Sequence, residues 1–191
     1  MKHYYKNIPG WFTFKQFYSK ILEDLPDSAH IVEIGSWEGR SAIYMGVEIL
    51  NSGKKIKFDC VDKWIGILPP TEHRKKVVYH KDALKSPNGS YNCFLKNIEP
   101  LKDVINPVRC SSLDAALLYK NESLDFVFID ADHSYKEVKK DILAWMPKIK
   151  NGGILSGHDY PFPDVKRAVD ENVEDVIILK DEKVWYKKII C

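Results

Sequence analysis

The stretch FVFIDADHSY, residues 126–135, sets Asp130, Asp132 and His133 directly behind an apolar run. An imidazole with an unperturbed pKa near neutrality suits proton transfer, and the carboxylate of Asp132 is its rival for that work. Downstream, GGILSGHDY (152–160) ends in His158 and Asp159. Upstream, VEIGSWEGRSA carries Glu33, Gly35, Ser36, Trp37 and Gly39. Glycines at a tight turn let the backbone bend and let a ligand approach closely. The spacing is not GxGxxG, which disfavours a dinucleotide-dependent oxidoreductase. Glu33 would repel a pyrophosphate at this turn, but not a cationic ligand. CVDKW supplies Asp62, Lys63 and Trp64. An acid about 20 residues beyond such a turn accepts hydrogen bonds from a ribose diol. Trp64 could pack on a ligand ring. RCSS adds the hydroxyls of Ser111 and Ser112.

Each of these groups also has a plain structural use. Ser111 or Ser112 can cap the helix that LDAALL begins, and Asp132 can cap the one that starts at Ser134. A glycine turn can serve packing alone, and Trp64 can be core. What separates the two interpretations is where the groups fall in the fold.

The elements that must position them alternate in type. WFTFKQFYSKILED (11–24) has helical spacing. Apolar or alternating runs predict strands over 30–36, 55–64, 105–112, 123–131 and 152–160. Helices are predicted over 40–53, 113–120, 134–150 and 164–173, with partial helix over 90–103. Residues 175–190 read as two strands joined at Asp181-Glu182. Such alternation gives a doubly wound, seven-stranded sheet, mostly parallel and covered on both faces, with one antiparallel strand in a C-terminal hairpin. In open α/β sheets, ligands bind beyond the carboxyl ends of the strands. All five groups of candidate residues fall there.

The bulk numbers set the frame. A chain of 191 residues suits one domain, here residues 1–191, with a helical extension over 1–27. A formal charge of +2 gives no reason to expect a nucleic-acid partner. No apolar run is long enough for a bilayer, and the N-terminus lacks a signal-peptide pattern. Cys60, Cys93, Cys110 and Cys191 form no CxxC pair, which points to reduced thiols and a cytoplasmic location.

On these residues the chain resembles the class I S-adenosylmethionine-dependent methyltransferases, a Rossmann-like family. VEIGSWEGRSA resembles their E-x-G-x-x-x-G motif, and VDKW is similar to the segment whose acid holds the ribose hydroxyls. LDFVFIDADHSYKEVKKDI with GGILSGHDY resembles small-molecule O-methyltransferases that carry an IDGDHSYE-type segment, with Ala131 in place of a glycine. The resemblance implies donor contacts by Glu33, Gly35, Ser36, Trp37, Gly39, Asp62, Lys63, Trp64, Ser111, Ser112 and Asp130. It extends to metal-dependent members, which implies Asp130, His158 and Asp159 as ligands of Mg²⁺ or Mn²⁺ and leaves His133 or Asp132 as base. His158 stands where the catechol type has an acid, so a mixed nitrogen–oxygen site and a site with no metal both stay open.

Residues 65–102 would lie over the active edge as a lid or acceptor wall. Their lysines suit either an anionic acceptor or a solvated surface. The implied partner is a small-molecule acceptor, a sugar or a phenol, and the N-terminal helix could close the pocket or form a homodimer. Transfer to nitrogen or to a macromolecule is the rival activity, although no (N/D)PPY-type motif follows the fourth strand. A chain that binds the donor without catalysis is the rival outside enzymes.

Overall fold

The computed structural model describes residues 1–65 and 88–190. Its strands are β1 (His30–Ile34), β2 (Lys57–Asp62), β3 (Ile105–Arg109), β4 (Leu124–Ile129), β5 (Ile149–Gly157), β6 (Ile177–Leu179) and β7 (Val184–Lys188). The α-helices are α1 (Lys15–Asp24), α2 (Arg40–Ser52), α3 (Gly89–Ile98), α4 (Ser112–Ala116), α5 (Tyr135–Trp145) and α6 (Pro163–Asn172). One seven-stranded sheet runs in the order β3-β2-β1-β4-β5-β7-β6. Pairing is parallel from β3 through to β5, and β7 is antiparallel to both β5 and β6. This is the Rossmann-like architecture expected from the alternating pattern. No helix among the described residues is long and apolar enough to cross a membrane.

Strand alternation divides the core between the two faces. Phe126 and Phe128 point to one side, where Phe14, Phe17, Tyr18, Ile21 and Leu22 cover them. Val127 and Ile129 point to the other, against Val138 and Ile142 of α5 and Val165 of α6. The N-terminal helix is therefore part of the core rather than an appended extension. Each large side chain buried this way contributes about 1.5–3 kcal/mol, so removing residues 1–27 would strip one face of β4.

The differences from the expected boundaries have local causes. Helix α1 starts at Lys15 rather than Trp11. Gly10 takes φ 129°, and Phe14 at the N-cap position is also non-helical. Helix α4 stops at Ala116, and Leu117 and Leu118 lie exposed beyond it. Strand β5 begins at Ile149, three residues early, because a register shift between Leu124 and Phe126 lets both ends of β4 pair with it. Most of the expected lid, residues 66–87, lies outside the described residues. Of the remainder, Phe94 and Ile98 of α3 and Leu101 of the 3-10 turn after it are buried in the core, while Ile65 is exposed.

The chain moves outward from β1 in one direction through β2 and β3. It then returns to β4 on the other side of β1. The reversal lies between β1 and β4, where Ile34 pairs with Ile129. The crevice beyond that pair is where a doubly wound sheet binds ligands.

Candidate active site

The turn after β1 is held from three sides. Gly35 has φ 93°, and its N–H donates to the Val61 carbonyl at 2.8 Å. A Cβ on Gly35 would lie 2.1 Å from the Asp130 carbonyl oxygen. Glycine is thus required by the closeness of the β4 end as well as by its φ. Gly39, at φ 92°, precedes α2, and a Cβ there would stand 3.1 Å from the Phe94 ring. Between them, Ser36 is buried and Trp37 is half-buried at φ 44°, stacked on the exposed Trp11 ring at 5.9 Å.

Asp62 ties this turn to the end of β2. The Trp37 N–H donates to its Oδ2 at 2.9 Å, and the Trp64 N–H donates to its Oδ1 at 2.8 Å. Burial raises its pKa, and these backbone donors pull it back only in part. The Lys63 backbone N–H bonds to the same carboxylate, so about one of its roughly four lone-pair positions remains for a ribose hydroxyl. Lys63 is exposed beside it.

Trp64 does not present its ring as a ligand platform. It is 2% exposed, its Nε1–H donates to the Trp37 carbonyl at 2.6 Å, and its ring packs on Tyr91 and Phe94. A φ of 43° turns the side chain inward. Ser111 caps α4: it accepts the Asp114 N–H at 3.1 Å and donates to the Asp114 carboxylate. Ser112 accepts the Trp145 indole N–H at 2.9 Å. The structural use of both hydroxyls is thus visible in the fold, and both residues stay half-buried at the sheet edge.

Glu33 lies behind the turn, not in the crevice. It is 1% exposed, and Tyr18 of α1 donates to its Oε2 at 2.8 Å. Oε1 and Ser36 Oγ have no hydrogen-bond partner among the described residues. Burial pushes the Glu33 carboxyl from 4.5 up to about 7, against the pull of the nearby Tyr18, Ser36 and Ser41 hydroxyls. A raised carboxyl pKa means the native state holds a proton that the unfolded chain has already lost. Stability therefore falls as pH rises from about 4.5 to about 7. A shift of this size corresponds to about 3 kcal/mol. Glu33→Gln is expected to remove that slope, gaining stability relative to the parent at pH 8 but not at pH 4. Urea unfolding of the ligand-free protein at both pH values measures it, and equal differences at the two pH values would contradict it.

Across the crevice, the ends of β4 and β5 bring four titratable side chains together. The Asp130 N–H donates to the Ile34 carbonyl, and the His158 N–H to the Ile129 carbonyl, fixing both backbones. His133 Nε2 lies 3.0 Å from Asp159 Oδ2 and 3.7 Å from Asp130 Oδ1. His158 Nδ1 lies 3.4 Å from Asp159 Oδ1 and 3.6 Å from Asp130 Oδ1. Asp159 takes φ 56°, which turns its carboxylate back toward the cluster. The Asp132 carboxylate accepts the Ser134 N–H at 2.7 Å, holding the turn just ahead of α5, and stands exposed at the rim.

The charges are mutually dependent. Burial opposes ionisation of Asp130 and Asp159, yet His133 and His158 hold both below the usual carboxylate range. The carboxylates of Asp130 and Asp159 push His133 up to about 10. Burial pulls His158 down, but the same two carboxylates carry it up to about 9. At neutral pH two imidazolium ions thus face two carboxylates. A divalent cation displacing two protons would preserve that charge balance. Ligand atoms of Asp130, His133 and Asp159 all lie within 4.8 Å of one another, a span one ion can bridge. Of the expected ligand set, Asp130 and Asp159 lie in this group together with His133, and His158 Nδ1 faces the same two carboxylates at 3.6 and 3.4 Å.

Two residues at this site carried no sequence signal. Thr13 Oγ1 lies 2.8 Å from His158 Nε2, and Glu182 holds the start of α1. Thr13 precedes α1 and Glu182 lies in the β6–β7 turn, and neither is among the candidate residues that the sequence places beyond the strand ends.

Known proteins share this fold. The chain is 28% identical over 184 residues to an uncharacterized protein of Acanthamoeba polyphaga mimivirus, covering 90% of this chain and 73% of that one. The O-methyltransferase NovP superposes with a TM-score of 0.70 at 21% identity, over 94% of this chain and 80% of that chain. An O-methyltransferase from Bacillus cereus in complex with SAH superposes at 0.62 and 16% identity, over 96% and 86%. At such identities the two structures establish a shared fold. The family model described as a methyltransferase domain matches residues 32–160, from β1 through the His158–Asp159 corner. With that match spanning well over half of its length, the chain belongs to the methyltransferase-domain family.

Proposed function

We propose that the protein transfers a methyl group from S-adenosylmethionine to a hydroxyl of a small molecule, with a divalent cation held by Asp130, His133 and Asp159. One contact carries this reading: the Gly35 turn abuts the Asp130 carbonyl. A donor seated on that turn and an acceptor at the His–Asp cluster would therefore be neighbours. The O-methyltransferase folds of NovP and the Bacillus cereus protein support the choice of oxygen as acceptor atom.

S-adenosylmethionine supplies a methyl group activated on a sulfonium sulfur. Gly35, Ser36 and Trp37 would hold its amino-acid end, and the acceptor position that Asp62 keeps beyond its three backbone donors would take a ribose hydroxyl. Glu33 stabilises the turn from behind through Tyr18. A bound cation would supply Lewis acidity to the acceptor hydroxyl, the condition under which a carboxylate can take its proton. Asp132 is the base in this reading. His133, held up at about 10, keeps its own proton at neutral pH in the cation-free site and serves as a ligand instead.

Labelled donor offered with a panel of hydroxylated sugars and phenols tests this. Transfer should stop with chelator and return with Mn²⁺ or Mg²⁺. Indifference to chelator would remove the cation from the reaction, and a product methylated on nitrogen would overturn the choice of oxygen.

A further inference from the structure

His158 is buried, 7% exposed, with the Phe14 ring 4.8 Å from its own. Its two nitrogens have different partners. Nε2 lies 2.8 Å from Thr13 Oγ1, while Nδ1 lies 3.4 Å from Asp159 and 3.6 Å from Asp130. The Thr13 hydroxyl has one proton, and it donates that proton to the Glu182 carbonyl at 3.2 Å. With its proton on that carbonyl, the hydroxyl can only accept from His158, an arrangement that needs the N–H on Nε2. The neutral ring then has its lone pair on Nδ1, facing the two carboxylates. Thr13 is itself held in place. The Glu182 carboxylate accepts the backbone N–H groups of Gln16 (2.7 Å) and Phe17 (2.9 Å), capping α1 from the β6–β7 turn. The N-cap residue, Phe14, makes no side-chain cap of its own.

We propose that Thr13 is a positioning residue that fixes the Nε2–H tautomer of His158. His158 Nδ1 thereby becomes a fourth donor, giving the site two imidazoles and two carboxylates and a preference for transition ions over Mg²⁺. The proposal rests on the reading that Asp130, His133 and Asp159 bind a cation. Imidazole nitrogen favours later first-row ions, whereas all-oxygen sites suit Mg²⁺. A hydrogen bond behind a ligating histidine fixes its orientation, and its loss costs about 10–100-fold in metal affinity.

Calorimetry with Co²⁺ and with Mg²⁺, alongside the visible Co²⁺ spectrum, tests the proposal on the full chain. The parent protein should bind Co²⁺ more tightly than Mg²⁺. Thr13→Val should weaken Co²⁺ binding about 10–100-fold and alter its visible bands, with little change for Mg²⁺. Thr13→Ser should restore parent behaviour. Thr13→Val binding Co²⁺ like the parent, or Thr13→Ser failing like Thr13→Val, would overturn the role of Thr13 while leaving the cation reading intact. A parent protein that binds neither ion would overturn both. Imidazole ¹⁵N shifts of the unmutated, Zn²⁺-loaded protein give an answer independent of any variant: a proton on Nδ1 of His158 contradicts the proposal.

Discussion

Replacing Asp130 with Asn is expected to lower methyl transfer about a thousand-fold while S-adenosylhomocysteine still binds. Asp130 is the carboxylate both histidines share, with His133 Nε2 at 3.7 Å and His158 Nδ1 at 3.6 Å. It also stands where the donor turn meets the cluster, so its backbone is fixed by Ile34 and Gly35 whatever its side chain. The amide has nearly the same shape but no charge. It therefore removes one of the two anions that balance a divalent ion without disturbing the turn. Lewis-acid stabilisation is worth several kcal/mol, and about 4 kcal/mol corresponds to roughly a thousand-fold in rate. Steady-state kinetics with added Mn²⁺, paired with calorimetry, would measure both halves. Parent-like turnover would remove Asp130 from the reaction, and loss of donor binding would place it on the donor side instead.

Asp132→Asn should lower kcat by about 10²–10⁴-fold, the usual worth of a general base, with cation and donor affinities unchanged. Asparagine keeps an oxygen that can accept the Ser134 N–H, so the start of α5 survives and the loss reports chemistry rather than folding. His133→Gln is the counterpart. As a ligand, His133 should yield a variant with weakened cation binding whose turnover recovers at higher Mn²⁺. If His133→Gln binds the cation normally yet is inactive at every concentration, the two roles are reversed.

How far the sequence discloses this site follows from the geometry involved. Alternation along FVFI and the helical spacing of α5 place Asp130, Asp132 and His133 at a strand end, because those periodicities depend only on neighbours in the chain. Parallel pairing of Ile129 with Gly157 then sets His158 and Asp159 beside them. That both histidines face both carboxylates is a matter of ångströms, decided in part by the φ of 56° at Asp159, and no spacing rule carries it. Trp64 shows the same limit: its place after β2 is legible, but the backbone angle that turns the ring into the core is not. The glycine turn is legible as a turn, whereas the reason Gly35 must be glycine is a carbonyl on β4, far along the chain. Thr13 and Glu182 are 169 residues apart and meet only once α1 has folded over β4 and the terminal hairpin has closed.

Calorimetric titration of the intact chain with S-adenosylhomocysteine tests the central claim most directly, because the donor turn, Asp62 and the β4 end all bear on it. The expected result is one equivalent bound, with a dissociation constant on the order of micromolar, and no comparable heat from NAD. Absence of binding by S-adenosylhomocysteine would contradict the account.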